Sequence, residues 1–202
     1  MSQRGNRRAM IELDPSAYDA LIFDCDGTLV DTMPGHFVIW RDTLAPLGIA
    51  LDETRFYALA GVSSVGTVEI LAREHGVTVD AAAVARQKDR LYLAREATDR
   101  PIDVVVGIAR EARGKKKLAV ASGNVTSIVQ RTLRGAGIDD LFEVVVGADQ
   151  VAHGKPAPDL FLRAASLVGV TPARCVVLED ADLGIQAAHA AGMTAIDVRP
   201  WL

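Results

Sequence analysis

The sequence predicts an α/β protein built on a doubly wound parallel sheet, with a helical insertion after the first strand. Three observations carry this reading. Five short apolar runs, at 20–23, 118–121, 142–146, 175–178 and 194–198, recur along the 202 residues, and their unbroken hydrophobicity suits strands covered on both faces. Most gaps between them are long enough for one helix, which is the rhythm of parallel βαβ units. The first gap is far longer and contains no strand-like run.

Taken in order, the chain opens with MSQRGNRRAM, which is polar and basic and has no apolar stretch behind it. It does not read as a secretory signal, and residues 1–14 are expected to form a flexible tail. ALIF at 20–23 is the first strand. Residues 34–101 read as several amphipathic helices, 65–75 and 81–98 among them, punctuated by Gly48, the GVSSVG loop at 61–66, Gly76 and Pro101. GKKK at 114–117 reads as a solvated turn before LAVA, the second strand. Apolar residues at helical spacing follow at 125–136, then FEVVV as the third strand. Helical spacing returns at 159–168, ahead of CVVL as the fourth strand. An alanine-rich helix at 183–191 is closed by Gly192, and TAIDV is the last strand. The main body is therefore expected over 15–33 and 102–202, and the insertion over 34–101.

Composition narrows the function classes. The chain is 50% hydrophobic and 24% charged, as in soluble globular domains. A net charge of −4 gives no nucleic-acid footprint. No apolar stretch reaches the length of a membrane span. Cys25 and Cys175 lie far apart in or beside apolar runs, which reads as buried reduced thiols, and the cytoplasm is expected by elimination. No heptad or apolar stripe argues for an oligomer, so the oligomeric state stays open, with a monomer the simplest reading.

The polar residues sit where the strands end. The first strand runs into DCDGTLVDT. Residues two apart in a strand share a face, so Asp24 and Asp26 are expected on one side with Cys25 opposite. The second strand ends in Ser122, Gly123 and Asn124, and the fourth in Glu179 and Asp180. After the third comes Lys155, in GKPAPD. Ligands of open parallel sheets bind at the carboxyl ends of strands. Taken singly, each group has an ordinary explanation as a turn, a helix cap or a strand-end hydroxyl. Their conjunction does not, because four clustered carboxylates repel and are costly to bury unpaired. Asp24, Asp26, Glu179 and Asp180 together need a cation, and an all-oxygen set favours a hard one such as Mg2+. Lys155 and Ser122, with neighbouring backbone N–H groups, suit a phosphate beside it.

These motifs, in this order, resemble the haloacid dehalogenase superfamily of phosphotransferases. DCDGTLVDT resembles its first motif, VASGN its second, GKPAPD its third and LEDADLGIQAAHAAGM its fourth. The helical insertion resembles the small cap of the β-phosphoglucomutase-like subfamily. CVVLEDADLGIQAAHAAGM and IDVR look closest to its fructose-1-phosphate and sugar-phosphate phosphatase branch. The resemblance implies a Rossmann-like core and a Mg2+-dependent phosphatase acting on a small phosphorylated metabolite through an aspartyl-phosphate. Asp24 would be the nucleophile and Asp26 the proton donor and acceptor. Mg2+ would be held by Asp24, the Asp26 carbonyl and Asp180, with Glu179 either a further ligand or a support behind the ligands, and Gly27 would turn the chain to aim Asp26. His36 and Lys88 sit where the subfamily often carries a cap histidine and lysine, and Thr32 lies on the linker.

Two departures bear on the substrate. Ser64 stands where mutase-type loops usually carry an arginine for a distal phosphate, and Asn124 replaces a more usual small residue or serine. Both favour a hydrolase for a monophosphorylated sugar or polyol, with a β-phosphoglucomutase-type mutase as the alternative. A signalling receiver domain would share an acidic site and a lysine. Receivers, however, lack the helical insertion and the paired DxDGT aspartates. A catalytically silent binding protein would not need the intact carboxylate pairs, and a dehalogenase would usually lack Asp26.

Overall fold

The computed structural model describes residues 15–95 and 99–202. The expected tail at 1–14 lies outside the described residues. In chain order the elements are β1 (Ala20–Phe23), β2 (Val30–Asp31), α1 (Met33–Leu44), α2 (Glu53–Ala58), α3 (Ser64–Glu74), α4 (Ala81–Ala94), β3 (Arg100–Pro101), α5 (Asp103–Ala112), β4 (Lys117–Ala121), α6 (Thr126–Gly135), β5 (Val144–Val146), α7 (Asp159–Val168), β6 (Cys175–Glu179), α8 (Asp182–Ala190) and β7 (Thr194–Asp197).

The five longer strands form one parallel sheet in the order β5-β4-β1-β6-β7. The order reverses at β1, so β1 and its neighbours β4 and β6 flank the switch point where such sheets bind ligands. Both faces of the sheet are covered. Leu21 and Phe23 of β1 join Val105, Leu118, Val129 and Leu133 in the core under α5 and α6. Ala20 and Ile22 point the other way and join Phe161, Ala164 and Ala187 under α7 and α8. This is the period-2 alternation of a strand buried on both sides. The expected α/β architecture therefore stands, as does the helical cap after the first strand. The cap has its own core, with Trp40, Leu44, Phe56, Leu71 and Val84 supplied by α1 to α4.

Several boundaries differ from the sequence reading. Phe142 precedes β5 and packs edge-on against the Phe23 ring at 5.6 Å, after a 3-10 turn at Asp139–Leu141. Packing, not pairing, accounts for its hydrophobicity. β6 extends to Glu179, which is therefore a strand residue. α4 ends at Ala94, earlier than the expected 98, and 96–98 lie outside the described residues. The long gap does contain a strand, since Arg100–Pro101 pairs antiparallel with Val30–Asp31. This two-residue ribbon ties together the chain's exit into the cap and its return.

The basic run at 114–117 turns at Gly114, φ 75°, and enters β4 at Lys117. Lys116 donates to the Tyr18 carbonyl at 2.5 Å and Lys117 pairs with Glu143 at 2.6 Å. No helix among the described residues is long and apolar enough to cross a membrane.

Leu133 is fully buried on α6. Leu133→Ala should lower stability by about 2–5 kcal/mol, the usual range for a buried leucine that leaves a cavity. Urea unfolding followed by circular dichroism would read this. A loss under about 1 kcal/mol would show that α6 does not seal this face of the sheet.

Candidate active site

The polar strand ends converge around one buried ammonium. The Lys155 side chain is 0% exposed and donates to Asp24 Oδ1 at 2.6 Å and Glu179 Oε2 at 2.7 Å. The Phe161 ring lies 5.1 Å from its nitrogen. Asp24 continues the ladder of β1, its N–H donating to the Leu178 carbonyl at 3.0 Å, so its side chain is fixed by the sheet. Burial would lower the Lys155 pKa, but the charges of Asp24 and Glu179 outweigh it and raise the pKa. The ammonium is secure.

The carboxylates are not balanced by it. Ligand oxygens of Asp24, Glu179 and Asp180 all lie within 4.8 Å of one another. Burial, then the charge of Glu179, pushes the Asp24 pKa up to about 8. Burial, then Asp24, pushes Asp180 up to about 7. Burial also raises Glu179, against the pull of Lys155. Two buried carboxylates and the half-buried Asp180, sharing one lysine, need more positive charge to be ionised together. An all-oxygen donor set of this kind fits a hard divalent cation.

Two glycines and a threonine hold the acidic pair in place. Thr28 Oγ1 donates to Asp180 Oδ1 at 2.6 Å. Gly27 has φ +87°, and a Cβ there would strike the Asp180 carboxylate. Its role thus includes making room for Asp180 as well as turning the chain. Gly184, inside α8, lies so close to Glu179 that any Cβ would overlap the carboxylate. Glu179 Oε1 also accepts from the Ala181 N–H at 3.0 Å. Neither Thr28 nor Gly184 was singled out from the sequence. The available signal was an isolated glycine within a helical pattern, which usually has a packing reason.

Asp26 corrects one expectation. Its carboxylate does not join the other three. It turns toward the cap and accepts from Thr32 Oγ1 at 2.7 Å, Asn124 Nδ2 at 2.8 Å, Ser122 Oγ at 3.2 Å and His36 Nε2 at 3.2 Å. Burial would raise the Asp26 pKa, but the hydrogen bonds from His36, Thr32 and Asn124 win and hold it well below the usual carboxylate range. Burial, then the nearby Lys88 charge, lowers the His36 pKa. With Nδ1 buried and unpartnered, the ring is assigned as neutral with its proton on Nε2. Thr32 caps α1 without a side-chain cap bond, because its hydroxyl serves Asp26.

The remaining expected residues also come to this place. Ser122 Oγ accepts the Asn124 N–H at 3.1 Å. Lys88 is 1% exposed and donates to Asn124 Oδ1 at 3.2 Å and Asp89 at 3.3 Å, with the Trp40 ring 5.2 Å away. A Cβ on Gly123 would sit 2.8 Å from the Gly61 carbonyl oxygen, so the cap loop rests on this backbone. Between cap and sheet lies a cleft with about 580 Å3 of empty space, including its mouth. Asp24, Asp26 and Asp180 form its floor, and Trp40, Phe56 and Ser64 belong to its cap side. Lys88 is the one basic side chain, apart from neutral His36, among its described lining residues.

Residues 18–192 match the family model of the haloacid dehalogenase-like hydrolases. The chain is 40% identical over 185 residues to fructose-1-phosphate phosphatase YqaB of Escherichia coli K12, covering 90% of this chain and 97% of that one. It is 34% identical over 190 residues to β-phosphoglucomutase of Bacillus subtilis 168, covering 89% and 82%. The crystal structure of a CbbY mutant from Rhodobacter sphaeroides in complex with xylulose-(1,5)bisphosphate superposes with a TM-score of 0.78 at 27% identity, covering 89% and 85%.

Gly184→Ala separates helix propensity from site packing. Propensity alone would stabilise α8 by about 1 kcal/mol. Overlap with Glu179 should instead destabilise the protein by about 1–3 kcal/mol. A thermal melt that rises on substitution would refute the close packing of Glu179 on α8.

Proposed function

Because the chain belongs to the haloacid dehalogenase-like hydrolase family, we propose that it is a phosphatase for a small phosphorylated metabolite, a sugar or polyol monophosphate. The observation that carries this is the division of labour between Asp24 and Asp26. One carboxylate is held by the sheet beside Lys155 and the acidic pair, and the other is held by the cap and the Ser122–Asn124 loop. A nucleophile and a proton carrier need separate environments of this kind.

In the proposed reaction an Asp24 oxygen attacks phosphorus, and the bond from phosphorus to the leaving oxygen breaks. Asp26, ionised in the resting site, first takes up a proton from solvent as substrate binds and then passes it to that oxygen, releasing the alcohol. It then takes a proton from water as the water attacks the aspartyl-phosphate, which frees phosphate and restores Asp24. Lys155 and the N–H groups of the Ser122–Asn124 loop offset charge on the phosphoryl oxygens, and the Ser122 hydroxyl donates to one of them. Mg2+ held by Asp24, Asp180, Glu179 and the Asp26 carbonyl would supply the missing positive charge, keeping Asp24 ionised and drawing charge from phosphorus.

The chain's expected division, 15–33 and 102–202 for the core and 34–101 for the cap, is supported by separate hydrophobic clusters for sheet and cap. The cap then chooses the alcohol. The described cleft has no arginine to take a second phosphate, and Ser64 stands where one would be expected. The fructose-1-phosphate phosphatase relative supports the same reading. A mutase for a phosphosugar is the second reading, supported by the β-phosphoglucomutase relative.

Phosphate release should be measured with Mg2+ and with EDTA. The panel should hold hexose 1- and 6-phosphates, fructose 1-phosphate, polyol phosphates and nucleotides. Release from one or a few sugar or polyol phosphates is expected, and chelation should abolish it. Conversion of β-glucose 1-phosphate to glucose 6-phosphate without release would favour the mutase. Asp24→Asn should lower turnover by about a thousandfold or more, and retained Mg2+-dependent hydrolysis by this variant would overturn the mechanism. Ser64→Arg should tighten binding of bisphosphates, read as a lower inhibition constant, while hydrolysis of monophosphates persists.

A further inference from the structure

We propose that Tyr92 is a positioning residue, which fixes the plane of His36 and through it the donor that His36 presents to Asp26. The inference rests on the reading of Asp26 as the proton carrier. Tyr92 lies on α4 and is fully buried. Its ring is parallel to the His36 imidazole, with centroids 4.0 Å apart and 5° between the planes.

His36 has an unusual need for such support. A buried histidine is normally oriented by a hydrogen bond at each ring nitrogen. Here Nε2 faces Asp26 at 3.2 Å and Asn124 at 3.5 Å, but Nδ1 is buried with no partner. A torsion between tetrahedral and planar carbons is broad, so one hydrogen bond leaves the ring free to swing. The face of Tyr92 supplies the missing restraint.

Tyr92 can do this because it is itself pinned. Its hydroxyl lies 3.2 Å from Thr132 Oγ1 on α6 and donates to Asp99 Oδ2 at 3.2 Å. The Arg95 guanidinium packs 4.3 Å from its ring centroid. The ring is thus tied to the sheet domain through Thr132 and to its own cap segment through Asp99 and Arg95, while its face serves His36. Nothing else in the mechanism uses this tyrosine, which does not itself line the cleft and reaches it only through the His36 ring stacked on it and the Lys88 ammonium 5.6 Å from its centroid.

A double-mutant cycle tests the claim. Tyr92→Met keeps a flexible apolar filler but loses the plane, and should lower kcat by roughly three- to tenfold with KM little changed. Tyr92→Phe keeps the plane and should stay within about twofold. In a His36→Ala background, Tyr92→Met should cause no further loss, because the tyrosine acts only through the imidazole. Losses that multiply would show an ordinary structural role and overturn the proposal.

Proton NMR supplies a readout that needs no turnover. The chain has four histidines, so His36 is assigned by its disappearance in His36→Ala. Its ring protons should be shifted upfield by the stack in the wild type and in Tyr92→Phe. The Nε2–H donated to Asp26 should be visible in both and lost to exchange in Tyr92→Met, or in Tyr92→Leu if the methionine variant does not fold. Wild-type His36 protons at ordinary positions, or an Nε2–H that persists without the ring, would sink the idea. Absence of phosphate release by the wild type would count against the phosphatase reading and leave this NMR arm decisive for Tyr92.

Discussion

Everything at the carboxyl edge of the sheet follows from burying one ammonium among three carboxylates. Lys155 has no water to turn to and is held by Asp24 and Glu179. Removing one partner of such a buried pair typically costs about 3–5 kcal/mol, because the other charge is stranded. The loop after β5 is therefore fastened to the ends of β1 and β6, the strands that flank the switch point. The glycines are consequences of the same crowding. Glu179 can reach Lys155 only because α8 carries no side chain at Gly184, and Asp180 can approach only over the bare backbone of Gly27.

One ammonium does not neutralise the cluster, and that imbalance organises the chemistry. The raised Asp24 and Asp180 pKa values come first from burial and then from neighbouring negative charge. Both causes are answered by positive charge placed among the three carboxylates. Asp26 escapes the problem by facing the other way. Its four donors come from three places, Ser122 and Asn124 on the sheet side, Thr32 on the linker and His36 in the first helix of the cap. The carboxylate proposed to exchange a proton is thereby the one whose surroundings depend on where the cap sits. Two aspartates one residue apart can take such different jobs because the chain turns at Gly27 immediately after them.

Much of this was legible in the sequence, and the remainder was hidden for identifiable reasons. The central strands are unbroken apolar runs between helical segments, so the sheet and the inserted helices could be read directly. Asp24, Ser122, Lys155, Glu179 and Asp180 stood out because charged and polar residues at the ends of buried strands have no folding purpose. The β2–β3 ribbon was invisible because two residues have no periodicity, and one of them is a proline. Phe142 looked like a strand residue because hydrophobicity alone does not separate pairing from edge-on packing. Asp26 was grouped with the other carboxylates because sequence spacing says which residues are near one another but not which donors compete for them. Tyr92 was unreadable for a related reason: an aromatic at helical spacing on an amphipathic helix looks like core, and only the parallel imbalance of His36, bonded at one nitrogen and bare at the other, gives its ring a separate purpose.

The cap side of the cleft bears on what the site can accept. In the proposed reaction a phosphoryl group at Asp24 would meet Lys155, Ser122 and the Ser122–Asn124 backbone, and a second phosphate would have to be met by the cap. Lys88, the one basic side chain there apart from neutral His36 among the described lining residues, is already donating to Asn124 and Asp89 and lies beside the Trp40 ring. Burial lowers its pKa, against the pull of Asp89 and Asp26. Drawing it onto a phosphate would remove a donor from Asn124, which itself holds Asp26. A bisphosphate would thus disturb the carboxylate that the reaction needs in place, whereas a neutral sugar or polyol can lie against Trp40 and Phe56 and leave that network intact. The charge distribution of the cleft is thus the ground for proposing release of one phosphate over its transfer between two positions of the same sugar.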